Sequence, residues 1–340
     1  DAKVREAMDA REGLKALTRT VPPAVLNPRW SVDRKNESAG LLRDSDLHFV
    51  CGPVTDLFSS TGSMTGHAVF FQAPNGHSAE DDRASSSSSV KAEYDTLPNV
   101  LNAWGYFVEF GDDPSPVPAF FTDSRLNRPQ APKRKRFRLM EFRQPAHELE
   151  LFAMTALGDA TVPVLSMATG QHELYQWFDK PLQESNAGGK RRCAVIAENI
   201  LALIILPLRP AQADDSSAQA LTGGGLVAEE YLYDSRRYQW GLGSALSAES
   251  MHRLPPAIQV SLIVLDERDW SKLTDEEAFE TGIALRGQVN PRFSKPENFN
   301  ADMGSLTGEL NRRRLKHRVV TTPLQLPAGL GAAGQEAGQP

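Results

Sequence analysis

The chain has 340 residues, of which 40% are hydrophobic and 24% charged, and its formal net charge is −6. This length fits one large domain or two small ones, and the apolar content is sufficient for a packed core. The acidic balance argues against nucleic acid as the main partner, because neutralising phosphates requires a basic surface.

The first predicted element is an amphipathic helix over residues 2–20. Its apolar side chains recur near the i, i+3, i+4 spacing of a helix with one apolar face. Pro22 and Pro23 end it, since proline lacks the amide N–H and disfavours helical geometry in the preceding residue. Two interpretations stay open at this point: a helix that lies on a sheet, or the C-terminal half of a longer spine helix that also contacts neighbouring molecules.

Strands follow, most of them rich in β-branched and aromatic residues and bounded by Gly, Pro or Asp. The segment 199–206 is apolar on both faces, which predicts an interior strand, whereas 257–266 alternates and has one wet face. The apolar parity changes between Leu139 and Met140, which predicts a bulge or a strand buried on both sides. The predicted strands are 46–51, 67–72, 104–110, 135–143, 199–206, 257–266 and 317–325. Short helices are predicted at 146–153, 172–178, 268–280 and 302–315.

This order of elements predicts an α+β fold, with the N-terminal amphipathic helix packed on a mainly antiparallel β-sheet. Residues 1–327 are predicted to form a single domain. The Ser-rich stretch 76–93 and the Gly-rich stretch 211–225 are predicted to be mobile insertions, and 328–340 a disordered tail. The apolar run 193–208 is shorter than the roughly 20 residues of a membrane-spanning helix and contains Glu198, which predicts a core position.

No motif in the sequence indicates catalysis, a cofactor or a metal. The histidines form no HxH or HExxH pattern, no GxSxG occurs, and the glycines 223–225 lack the Lys and Ser/Thr of a phosphate loop. The acidic pairs at 81–82, 112–113 and 266–267 lie in no calcium-loop pattern, although calcium binding stays open. The basic run 133–136 is interpreted as a solvated approach to the strand at Phe137.

Cysteines and aromatic residues leave further questions open. Cys51 and Cys193 could form a disulfide in an oxidising compartment, or remain two separate small residues in the interior. Six aromatic residues could either line a carbohydrate-binding surface or anchor the core. We favour the core for most of them. They are Trp104, Trp240, Trp270, Tyr231, Tyr233 and Tyr238.

Taken as a series, eight blocks between residues 5 and 327 resemble the Verru_Chthon cassette protein C family. That family consists of prepilin-type proteins distantly similar to the minor pseudopilin J of type II secretion and to PilW-type minor pilins. The blocks are LHFVCGP (47–53), GHAVFFQAP (66–74), LNAWGYFVEFG (101–111), RFRLMEFRQPAHELELF (136–152), AENILALIILPLRP (197–210), YLYDSRRYQWG (231–241), LPPAIQVSLIVLDE (254–267) and LKHRVVTTPLQLP (315–327).

The resemblance implies a pseudopilin-like fold and a non-enzymatic structural subunit of a type II secretion or type IV pilus-like assembly in the cell envelope. Its implied partners are other pilin-like subunits, with no cofactor and no catalytic, metal or nucleic-acid site. The chain opens DAKVREAMDAREGL rather than with a prepilin leader, so membrane contact is expected only through an N-terminal segment outside this chain. Implied assembly contacts are Arg5, Glu6, Asp9 and Glu12. The alternative function is an exported β-rich module, possibly carbohydrate-binding, with its site near 231–240.

Overall fold

The computed structural model describes residues 2–32, 41–76, 100–112, 135–146, 149, 151, 175–184, 192–209, 226–236 and 252–327. The insertion predicted at 76–93 lies outside these residues except for Gly76. The insertion at 211–225, the tail 328–340 and most of the helix predicted over 146–153 also lie outside them.

The described chain contains fewer helices than strands. The helices are α1 (Ala2–Thr20), α2 (Val54–Leu57), α3 (Gln176–Glu184), α4 (Glu267–Trp270), α5 (Asp275–Val289) and α6 (Phe299–Arg312). The N-terminal helix therefore forms where it was predicted. The helix predicted over 268–280 is instead two helices, α4 and α5, because Thr274 caps a new helix with a reciprocal capping box to Glu277.

One large sheet contains most of the strands. Its main path has the order β12-β11-β8-β4-β5-β6-β7, with β3, β9 and β10 attached beside it, while β1 and β2 pair only with each other. The strands are β1 (Arg29–Val32), β2 (Leu41–Asp44), β3 (Val50–Pro53), β4 (Met64–Ala73), β5 (Asn102–Gly111), β6 (Arg136–Gln144), β7 (Cys193–Glu198), β8 (Ile200–Arg209), β9 (Leu226–Val227), β10 (Tyr233–Asp234), β11 (Ala257–Leu265) and β12 (His317–Gln325).

Strand β8 occupies the interior of this sheet, which confirms the prediction for 199–206. It pairs antiparallel with β11 and parallel with β4 through Gly66 and Leu203. Side chains on both of its faces are buried, as a doubly apolar segment requires. Gly66 has φ of +74°, and a Cβ there would lie 2.7 Å from the Leu203 carbonyl oxygen, so the close approach of β4 and β8 requires glycine.

The sheet curls because a single residue joins its last strand to its interior strand. Strand β7 pairs with β6 at the end of the order and β8 lies between β11 and β4, yet only Asn199 separates them. Asn199 has φ of 59°, a left-handed conformation that asparagine tolerates well. The predicted bulge is also present, as a register shift between Leu139 and Met140 where β6 pairs with β7. Bulges increase local twist and bend a strand, which favours the curl.

The predicted α+β fold, with an N-terminal helix packed on a mainly antiparallel sheet in a pseudopilin-like arrangement, is wrong. The structure is mostly a curled, mixed β-sheet half-barrel with few helices, and the predicted layer of helix on sheet is not seen. Periodicity identifies single strands, but it does not reveal that β7 and β8 join through Asn199 and bend the sheet. Instead of forming a separate layer, α1 contributes Ala10 and Leu17 to the core cluster of the curled sheet.

Two apolar clusters lie on opposite faces of β4 and β5. Val69 and Tyr106 belong to the larger cluster, whereas their neighbours Phe70 and Phe107 belong to the smaller one, as alternation along a strand requires. In the smaller cluster the rings of Phe70 and Phe178 stack with centroids 4.0 Å apart. Because fully burying one such side chain contributes about 1.5–3 kcal/mol, these central strands form the most stable part of the sheet.

Candidate functional site

The outward side of α1 is a continuous exposed stripe. Met8, Arg11, Glu12, Lys15 and Arg19 recur at intervals of three and four residues and are all exposed. Helical geometry places residues at these intervals on one side of the helix. The stripe therefore combines one large apolar side chain with three cations and one carboxylate, and we call it the α1 stripe.

The opposite side of α1 is fixed in the interior. Thr20 Oγ1 and the Tyr106 hydroxyl form a buried hydrogen bond of 2.6 Å, and Tyr106 in turn donates to Glu141. A Cβ added at Gly13 would lie 3.0 Å from a methyl carbon of Leu139, so the helix backbone approaches this side chain closely. These contacts determine which residues of α1 face outward.

The predicted assembly contacts divide between different environments. Glu12 is exposed and belongs to the α1 stripe, whereas the side chains of Arg5 and Glu6 lie outside the described residues. Asp9 is half-buried and accepts a hydrogen bond from Asn199 Nδ2 at 3.3 Å. The structure thus places Asp9 against the β7–β8 corner of its own chain rather than on the stripe.

The environment of Asp9 raises its pKa. Burial is the main cause, and the negative charges of Glu198 and Glu267 add to it, although the hydrogen bond from Asn199 opposes the increase. The guanidinium of Arg136 compensates the two glutamates, with Nη1 2.8 Å from Glu198 Oε2 and Nη2 2.9 Å from Glu267 Oε1. Arg136 is buried, so the interpretation of its basic run as solvated is wrong at this residue.

Helix α5 presents a second exposed apolar surface. Phe279 is 44% exposed and Ile283 47%, and Met8 on α1, at 53%, is the third large apolar side chain exposed in the described part of the chain. Phe279 and Ile283 are four residues apart, so they lie on one side of the helix. We call these two residues and the exposed carboxylates beside them the α5 patch. The carboxylates are Asp275, Glu276 and Glu280.

The other side of α5 is buried and holds the helix in a fixed rotation. Gly282 lies under the Phe110 ring so closely that an added Cβ would be 2.1 Å from a ring carbon. Lys135 borders the patch with its Nζ 4.9 Å from the centroid of the Phe279 ring, and it also pairs with Asp112 at 3.1 Å. Arg286, three residues beyond Ile283, donates to the Gly62 carbonyl oxygen. The α5 patch is therefore apolar in the middle, with three carboxylates and the two cations Lys135 and Arg286 around it.

A buried polar network joins β10 to the start of β3 and to α3. His48 Nε2 lies 2.7 Å from Asp234 Oδ1, and the Tyr175 hydroxyl donates to Asp234 Oδ2 at 2.9 Å. Trp177 Nε1 donates to His48 Nδ1 at 3.1 Å, so Nε2 carries the proton and donates to the carboxylate. The backbone N–H of Arg236 donates to Asp234 Oδ1 at 2.9 Å. Both ring nitrogens of His48 are engaged in bonds that hold the fold.

The protonation states of this pair follow from burial and hydrogen bonding. Burial lowers the pKa of His48, so the imidazole is neutral at pH 7. Burial alone would raise the pKa of Asp234, but His48, the Arg236 N–H and Tyr175 outweigh it and lower that pKa to about 2. A neutral histidine that donates to a carboxylate is the consistent state. Sequence reasoning missed this pair, because its members are 186 residues apart and neither belongs to a spaced motif.

The aromatic residues proposed as a carbohydrate-binding surface are mostly in the interior. Trp104, Trp270, Tyr231 and Tyr233 are all buried, which confirms the core interpretation for these four. Tyr238 and Trp240 lie outside the described residues. Tyr233 donates a hydrogen bond to the Arg253 carbonyl oxygen at 2.8 Å, so its polar end is also used internally.

The structure also places the two cysteines and the acidic pair at 266–267, whereas 81–82 and Asp113 lie outside the described residues. Cys51 and Cys193 are not joined by a disulfide; Cys51 is buried in the larger cluster, and Cys193 is half-buried beside the smaller one. Burial raises the pKa of the Cys51 thiol. Asp266 caps α4 by accepting from the Arg268 N–H at 2.8 Å. Within the described residues no group of three His, Cys, Asp or Glu side chains is arranged to hold a metal ion.

Comparisons with known proteins give no relative for this chain. No family model, no curated protein and no solved structure matches it. Among the described residues no helix combines the length and the apolar character that crossing a membrane requires.

Proposed function

We propose that this protein is a non-enzymatic structural subunit of a pilin-like assembly in the cell envelope, of the type II secretion or type IV pilus kind. The observation that carries the proposal is the α1 stripe, in which Met8 is exposed beside cations while the opposite side of the helix is buried. Exposed apolar side chains on a rigid element are typical of surfaces that contact a partner.

The resemblance of the eight sequence blocks supplies the pilin-like class of partner. The curled sheet departs from the pseudopilin-like fold that this resemblance implies, so the fold lends the proposal no support. The proposal therefore depends on the surface of α1 and on the blocks. The binding-module alternative receives less support, because the four described aromatic residues of its proposed carbohydrate-binding surface are buried.

Site-specific photo-crosslinking tests the proposal. The crosslinking amino acid replaces Lys15 on the α1 stripe, and in a matched control it replaces Thr55, which is exposed on α2. Each variant is expressed from the whole gene in its source cell. We expect Lys15 to form adducts with pilin-like subunits and Thr55 to form few. A Lys15 position that forms no protein adduct, or the same adducts as Thr55, overturns the proposal.

A further inference from the structure

All three large apolar side chains exposed in the described chain lie on two helices of opposite charge. On α1, Met8 is accompanied by the cations Arg11, Lys15 and Arg19, with Glu12 as the exposed carboxylate of the stripe. On α5, Phe279 and Ile283 are accompanied by the three carboxylates of the α5 patch. The two surfaces thus match in apolar character and are opposite in charge.

We infer that the α1 stripe of one copy binds the α5 patch of a second copy of this chain. Met8 would lie against Phe279 and Ile283, and the cations of the stripe would face Glu276 and Glu280. This inference rests on the proposed function, since it identifies the counter-surface to which the first helix binds. Charge complementarity of this kind fixes register and orientation more than affinity.

The geometry of such a contact determines the form of the assembly. The two surfaces are different, so the contact is heterologous and runs from head to tail. A bound pair then keeps one free α5 patch, on the copy whose α1 stripe is bound, and one free α1 stripe, on the other copy, so the arrangement continues into a ring or an open filament. An open filament is the form that a pilus-like structural subunit requires.

Both surfaces are held ready for binding by their buried sides. Thr20 fixes α1 through Tyr106, and Gly282 fixes α5 beneath Phe110. Little rearrangement is needed for rigid helices to meet, which reduces the entropic cost of association. The contact is nevertheless small, and much of its attraction is between exposed charges, so it is expected to weaken as salt increases.

Charge reversal in two separate full-length variants tests the inference. The first variant carries Arg11→Glu, Lys15→Glu and Arg19→Glu, which makes the stripe acidic. The second carries Asp275→Lys, Glu276→Lys and Glu280→Lys, which makes the patch basic and retains the Thr274–Glu277 capping box. Each variant alone places like charges at the contact, whereas a mixture of the two places opposite charges at every contact.

Sedimentation velocity over a concentration series at low salt measures self-association. We expect the wild-type chain to self-associate, each variant alone to associate about tenfold more weakly, and their equimolar mixture to recover wild-type behaviour. The matched control Glu229→Lys/Glu230→Lys alters two exposed carboxylates away from both helices and should associate like the wild type. Carbodiimide crosslinking of mixed isotopically labelled and unlabelled wild-type chains should join Lys15 of one copy to Glu276 or Glu280 of another.

The inference is overturned if the wild-type chain does not self-associate, if either variant associates as the wild type does, or if mixing fails to restore association. These outcomes differ from a failure of the proposed function. If the proposed function is wrong, Lys15 forms no adducts with pilin-like subunits in the cell, whether or not the purified chain self-associates. If those adducts form and sedimentation shows no contact between α1 and α5, the proposed function stands and this inference falls.

Discussion

The buried network around His48 and the exposed side of α5 use polar and apolar groups in opposite ways. The network buries a carboxylate and an imidazole completely and gives each of them hydrogen-bond partners. Helix α5 instead leaves the apolar side chains of Phe279 and Ile283 partly exposed to water, which is unfavourable for apolar groups. A buried polar group with every bond made specifies a fold, whereas an exposed apolar pair is unexplained by the fold and indicates a partner. Substitutions in the first region should therefore change stability, and those in the second should change association.

The largest effect is expected from Asp234→Ala. This substitution leaves the His48 Nε2–H, the Tyr175 hydroxyl and the Arg236 N–H without their acceptor in the interior. Removing one partner of a buried charged network costs about 3–5 kcal/mol of the free energy of unfolding. Urea denaturation followed by tryptophan fluorescence measures it. A loss no larger than that of Glu230→Ala, an exposed control, would contradict the structural role of the network.

Acid should destabilise the protein through its buried histidines. Burial lowers the pKa of His67 to about 4 from its ordinary 6.5, so below pH 6.5 the unfolded chain binds a proton that the folded chain refuses. The contribution of neutral His67 to the free energy of unfolding is thus fully present above pH 6.5 and is lost as the pH falls towards 4. His67 alone contributes a slope of up to about 1.4 kcal/mol per pH unit. The His67→Gln variant should show a shallower decline between pH 6 and pH 4.5 in urea titrations. An unchanged slope would mean that His67 is not protected from protonation.

Two glycines of α5 offer a matched pair of tests for the buried and exposed sides of one helix. An added Cβ at Gly282 would meet the Phe110 ring, so Gly282→Ala should lower the free energy of unfolding by about 1–3 kcal/mol. At Gly287 nothing lies within 4 Å, and alanine favours helix more than glycine does. Gly287→Ala should therefore raise that free energy by about 0.5–1 kcal/mol. Equal effects of the two substitutions would mean that the rotation of α5 is not as described.

The smallest loss of stability is expected on the α5 patch. Phe279→Ser and Ile283→Ser should each lower the free energy of unfolding by only about 1 kcal/mol, because about half of each side chain is exposed and complete burial would contribute about 1.5–3 kcal/mol. The same substitutions should reduce self-association measured by sedimentation. A clearly larger loss of stability would show that these side chains belong to the core, and the comparison with the network would then fail.

Local elements were predictable from the sequence, and the arrangement of those elements was not. The apolar faces of 199–206 identified an interior strand, the parity change at Leu139 and Met140 identified a bulge, and β12 forms over the predicted residues 317–325. The strand predicted at 46–51 begins only at Val50, because backbone N–H groups before it donate to side chains instead of to a neighbouring strand. Ser45 accepts from the Leu47 N–H and Gln72 from the His48 N–H.

The interior pairings and the surface were harder to predict. The curl depends on one left-handed residue, Asn199, and the His48–Asp234 pair depends on β10 lying beside β3. Neither leaves a periodic signal in the sequence. The exposure of Phe279 and Ile283 was also hidden, since apolar residues on both sides of a helix suggest complete burial. The contact of Gly282 with Phe110 and the burial of Ala278, Leu285 and Val289 establish which side of α5 faces inward.

The most direct test of the central claim measures incorporation and folding together for one variant. Wild-type protein and the variant Arg11→Glu/Lys15→Glu/Arg19→Glu are expressed from the whole gene in the source cell, and the fraction that co-sediments with pilin-like subunits is measured. The purified proteins are compared by thermal unfolding. If the α1 stripe serves assembly, co-sedimentation should fall about tenfold while the unfolding temperature stays unchanged, because exposed charges contribute little to stability. Equal co-sedimentation of a correctly folded variant would contradict the account.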